Sequence, residues 1–171
     1  MPARDGGESM LRPLLAASLV LASADPVLAW SEPACSTLDQ GQPLCAVTEW
    51  FSLQGQGGTL KVLLADGEPY LLLQHEALRA PSGTVPVLAH VDDQPPVRRA
   101  ARTQEDGVLI PLLAGDLEAL ARGRSLTVAL PQAALTYPLV GSFAALNALL
   151  TRYAVFATRG AQGRPSGEVR G

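Results

Sequence analysis

The 171-residue chain carries 13 basic and 16 acidic residues, a formal net charge of −3, and is 47% hydrophobic against 17% charged. That balance argues against a nucleic-acid module, which shows a basic surplus gathered on one face; the only local excess here is Arg98, Arg99 and Arg102. Two cysteines and two histidines leave few groups for a metal centre.

The N-terminus has the layout of a secretory signal peptide. After nine polar-leaning residues, Met10 begins a segment in which Arg12 supplies positive charge, Leu14 to Ala22 forms an apolar run, and Val27 and Ala29 suit the small-residue positions before a cleavage. The run is too short to span a bilayer, which takes about 20 residues. Residues 1–29 are therefore expected to be removed, with Met10 as an alternative start to Met1. A single domain over 30–158 follows. The tail at 159–171, built largely of Gly and Arg with Pro, Ser and Gln, is expected to stay disordered.

Cys35 and Cys45 lie close together in an exported chain, and an even pair in an oxidising compartment reads as a disulfide. From Cys45 to Leu53 residues alternate, with Cys45, Val47, Phe51 and Leu53 on one face and Glu49 as the exception. Leu60, Val62 and Leu64 form the next strand, and Asp66-Gly67 is a hairpin signal before Tyr70 to Gln74. Val85 to Val91 alternates again. Pro95-Pro96 precedes Val97 to Thr103 and favours a sheet edge or a connection. Then come a strand through Val108, Ile110 and Leu112, a helix carrying Leu117 and Leu120 and stopped by Gly123, a strand through Leu126, Val128 and Leu130, an extended run from Leu135 to Val140, and a helix from Ser142 to Ala154.

Short strands at regular spacing, each bounded by turn residues, predict a mainly β fold: an antiparallel β-sandwich with two short C-terminal helices. Its core should take Val47, Phe51, Val62, Leu64, Val87, Ile110 and Val128, with Leu146, Leu149 and Leu150 of the last helix covering an end or edge.

Few residues suggest chemistry. His75-Glu76 and His90 with Asp92 and Asp93 are the candidate metal or acid-base groups, but both histidines are expected on the solvated rim. Ser142 lacks a nucleophile elbow and is expected to cap a helix; Asp116, with Glu118, complements the dipole of the earlier helix. Trp30 and Trp50 are expected to pack. Arg98 and Arg102 share a strand face and are the candidate contacts for an acidic protein partner, with protection of an exposed strand edge as the other reading. No catalytic residue, metal or cofactor is assigned.

Read in order, several short stretches resemble the invasion-associated locus B family of exported bacterial proteins. They are Trp30 to Cys35 with Cys45 after a short loop, Leu60-Lys-Val-Leu, Pro81-Ser-Gly-Thr-Val85, Val91-Asp92-Asp93, Gly107-Val108, Leu126-Thr-Val128 and Leu139-Val-Gly141-Ser-Phe143. The resemblance spans nearly all of 30–171. It departs at a second cysteine pair common in the family, where this chain has Arg99 to Ala101 and Gly107-Val108. It implies a periplasmic or secreted β-rich domain without established catalytic residues. The expected function is a non-enzymatic envelope-accessory or protein-interaction module of unstated oligomeric state; the alternatives are a periplasmic metal-dependent hydrolase and a small-ligand carrier, the latter suggested by the Leu-rich stretch from Val62 to Leu73.

Overall fold

The structure, a computed structural model, describes residues 22–23, 25–26, 30–53, 55–78, 81–104, 107–131 and 133–162. The elements in chain order are β1 (Ala22–Ser23), β2 (Asp25–Pro26), β3 (Ala34–Thr37), β4 (Pro43–Leu53), β5 (Gln56–Ala65), β6 (Glu68–Gln74), a 3-10 turn (Glu76–Leu78), β7 (Gly83–Val91), β8 (Val97–Gln104), β9 (Gly107–Pro111), α1 (Ala114–Arg122), β10 (Ser125–Leu130), β11 (Ala133–Pro138) and α2 (Ser142–Gln162). The fold is mainly β and almost wholly antiparallel, as the alternation predicts. Among the described residues no helix is long and apolar enough to cross a membrane.

All the strands hydrogen-bond into one sheet with the path β1-β11-β10-β7-β8-β9-β6-β5-β4-β2, and β3 pairs with β4 off that path. The layers of the expected sandwich are thus parts of one sheet that curls back on itself. β1 pairs parallel with β11 at Leu135 and Thr136, while β2 pairs antiparallel with β4 at Ser52 and Phe51. Since β1 and β2 are successive pieces of one segment, the path closes into a ring. Both lie within the stretch assigned to the signal peptide; the remainder of 1–29 lies outside the described residues.

The period-2 alternation gives β4 to β11 one inward face each, and the inward faces share one core. Val47, Phe51, Val62, Leu64, Val87, Ile110 and Val128 are all buried, as expected. The Asp66-Gly67 turn between β5 and β6 has both residues at positive φ, 51° and 84°, the pattern of a type I′ hairpin. Gly58 is required for a different reason: a Cβ there would collide with the Phe51 ring and the Gln74 carbonyl. Cys35 and Cys45 face each other across β3 and β4 and form the disulfide, with Cα atoms 4.1 Å apart.

Several expectations are corrected here. β8 lies between β7 and β9, so Pro95-Pro96 sits in a connection and Arg98 and Arg102 protect no free edge. α2 runs for 21 residues to Gln162, not to Ala154, so the tail expected to be disordered from 159 begins as helix; residues 163–171 lie outside the described set. Leu146 and Leu149 enter the core, but Leu150, at 45% exposure, does not. Each residue along a helix rotates the side chain by about 100°, which carries Leu150 off the face that Leu149 buries.

α1 is fixed to the sheet through charge. The Asp116 carboxylate accepts the Leu113 backbone N–H at 2.5 Å and pairs with the Arg99 guanidinium at 2.7 Å, both side chains being largely shielded. Arg99 therefore points inward, away from Arg98 and Arg102, and has a structural task. Ser142 does not cap its own helix; its hydroxyl donates to the Leu120 carbonyl at 2.8 Å, joining α2 to the end of α1 in the interior.

Candidate interaction surface

The histidines do not converge with acids into a site. His75 is buried at 4% exposure rather than on the rim: its ring stacks on Phe51 with centroids 5.8 Å apart, and its Nδ1 accepts the Ala77 backbone N–H at 3.0 Å. Phe51 in turn meets Tyr137 edge-on at 4.9 Å. His90 lies on β7 with Nδ1 2.8 Å from the Asp92 carbonyl. The Asp92 carboxylate accepts the backbone N–H groups of Arg124 and Ser125 at 2.9 and 2.8 Å. Those bonds hold its pKa below the usual carboxylate range, and they commit Asp92 to pinning the α1–β10 connection. Among the described residues no group of three or more His, Cys, Asp or Glu side chains could hold a metal ion.

The interior does contain polar groups that the sequence pattern only hinted at. Glu49 interrupts an apolar face, and it is buried at 4% exposure; burial pushes its carboxyl up to about 7. The Tyr137 hydroxyl, whose pKa burial also raises, has no hydrogen-bond partner among the described residues, and neither do His75 Nε2 and Trp30 Nε1. Among the described residues these three atoms make no hydrogen bond to one another.

The surface that stands out is the outward face of β4, β5, β6, β9 and β8. Register places Thr48, Lys61, Leu72, Leu109 and Arg102 opposite one another in a single row across the five strands. The neighbouring row is Ala46, Leu63, Tyr70 and Pro111. Together with Leu38, Leu44 and Ala65 these residues line an open groove of about 790 Å3, and among the described residues no carboxylate lines it. Two leucines therefore sit between two cations, with a second apolar row beside them. Strands lie about 4.8 Å apart, so Lys61 and Arg102, three strands from each other, stand about 14 Å apart across the floor.

Of the two arginines singled out from the sequence, Arg102 lines this groove and Arg98 does not. Arg98 shares the outward face but pairs in register with Leu88 on β7, beyond the groove's border. Trp50 also faces outward at 44% exposure, against the expectation that it packs. Leu72 and Leu109 were missed because an apolar residue on the second face of a strand reads as part of a fully buried strand. The available signal was the run Leu71 to Leu73, apolar on both parities.

No protein-family model and no curated protein matches the chain. Among solved structures it is similar to invasion associated protein B from Bartonella henselae, with 19% sequence identity, a TM-score of 0.52, and coverage of 75% of this chain and 96% of that one. At that identity the likeness is one of fold.

Proposed function

We propose that this is an exported, non-enzymatic envelope-accessory domain, periplasmic or secreted, that acts by holding a protein partner on the outward face of β4, β5, β6, β9 and β8. The observation that carries the reading is the row Thr48, Lys61, Leu72, Leu109, Arg102: an apolar strip flanked by cations, with no carboxylate in the row, fits a partner surface that is apolar at its centre and acidic at its margins. Export is supported by the signal-like N-terminus and by the Cys35–Cys45 bridge, which belongs to oxidising compartments. The fold likeness to an invasion associated protein accords with an envelope setting, without bringing that protein's role with it.

The test is site-specific photocrosslinking in the envelope of the native host. A crosslinker at Leu72 should trap a partner, one at Leu88 on β7 should not, and Lys61→Glu with Arg102→Glu should abolish the Leu72 adduct. Equal labelling at both positions overturns the reading. So does a hydrolytic activity of the purified protein that His75→Ala with His90→Ala removes.

A further inference from the structure

We infer that the segment of the partner that occupies the groove is an amphipathic α-helix with acidic residues along both borders of its apolar stripe. The inference rests on the contact reading above and concerns what sits there.

Three observations narrow the occupant. The floor belongs to strands hydrogen-bonded on both sides: β5 to β4 and β6, β6 to β9, and β9 to β8. An extended segment laid on this face finds no backbone N–H or C=O to pair with, and burying unpaired backbone groups is costly. A helix satisfies its own backbone, which leaves its side chains to make the contact. The second observation is width. The separation of about 14 Å between Lys61 and Arg102 accommodates a helix body of about 10–12 Å, so a helix lying along β6 and β9 rests on Leu72 and Leu109 and brings its two flanks to the two cations. The third is the length of the strip. Residues on one face of a strand recur about every 7 Å, so the rows through Leu72, Tyr70 and Ala65 extend for about 14 Å, which matches about three helical turns, and the last row ends the apolar strip on β6 at Glu68.

Paired cations also separate this occupant from a lipid. One anionic headgroup on an acyl chain would meet Lys61 or Arg102 and leave the other without a counter-charge, whereas carboxylates on both borders of a helix meet both. Apolar anchors at spacings of three and four would follow the leucine rows.

Binding to designed peptides tests this with the full disulfide-bonded protein. The probes are a 14-residue helical peptide with a leucine stripe bordered by Glu on both sides, the same peptide bordered by Lys, and a Pro-interrupted peptide of the Glu composition that cannot form a helix. Phosphatidylglycerol vesicles form the lipid arm. The Glu-bordered helix should bind at least about tenfold more tightly than either other peptide, with Lys61→Glu and Arg102→Glu together inverting the preference between Glu and Lys borders. Leu72→Glu should abolish binding while Leu88→Asp leaves it intact. Equal binding of the Pro-interrupted peptide, no preference between borders, no peptide binding, or binding of the vesicles alone each overturns the helix assignment. Should Leu72 crosslink a partner in the envelope while the helical peptide fails, the helix inference falls and the contact reading stands; absence of both removes the two together.

Discussion

Replacing Glu49 by Gln offers a direct measure of what burying a carboxyl in this core costs. Burial without a charge partner displaces its pKa from the ordinary 4.5 to about 7, a difference worth about 3 kcal/mol between protonation states. Below pH 4.5 the group is protonated in both folded and unfolded chains. Between 4.5 and 7 the unfolded chain gives up the proton and the folded one keeps it, so the folded state binds more protons and stability falls as pH rises. Above 7 the loss has reached its full size of about 3 kcal/mol. Glu49→Gln keeps the shape and cannot ionise, so it should lack this component of the pH dependence. Urea denaturation at several values from about pH 4 to about pH 8 should show the wild type losing about 3 kcal/mol more than the variant across that range. Using the difference between two slopes cancels whatever the amide itself costs in the core. Parallel profiles for the two proteins would refute the reasoning, because they would mean that Glu49 reaches water or a partner in the folded state.

Two further outcomes are expected of the scaffold. Cys35→Ser with Cys45→Ser should lower stability by about 3 kcal/mol, the chain-entropy value for a loop of this size, read from the denaturation midpoint; no change would mean that β3 is held equally well by its pairing with β4. Leu149→Ala should cost about 2 to 4 kcal/mol because that side chain is fully buried, whereas Leu150→Ala should cost less than about 1 kcal/mol; similar costs at the two positions would show that α2 is rotated from the orientation described.

The strand alternation was legible because β4 to β11 each have one buried face, and the core residues Val47 through Val128 follow from that alone. Closure was not legible. The pairing of β1 with β11 and β2 with β4 joins residues over a hundred positions apart in one case, and two-residue strands leave no periodicity to read. The orientation of Arg99 was lost for a related reason: parity separates it from Arg98 and Arg102, but only its partner Asp116, 17 residues on, shows why a charge faces inward. The groove was half visible. Arg102 could be named as a contact from its charge, while Leu72 and Leu109 could not, since the sheet face they occupy is defined by neighbours on other strands. His75 shows the limit from the other side, since a ring buried against Phe51 looks in sequence like any polar residue ending a strand.

The closure of the sheet makes the N-terminal boundary a topological choice as well as a matter of length. A cut after Ala29 would carry away both β1 and β2, leaving the backbone of Phe51 and Ser52 on one side and of Leu135 and Thr136 on the other without the partners they have in the longer chain. A cylinder would become an unzipped sleeve, bare at Leu135 and Thr136 on one rim and at Phe51 and Ser52 on the other, where β3 still covers Pro43 to Ala46, and bare strand rims are templates for pairing with other chains. Precursor and processed protein would then differ in their tendency to self-associate while sharing every residue of the core. A recombinant protein that begins at Trp30 and one that begins upstream should accordingly be handled as two different objects, the first with a slot where the second has a latch.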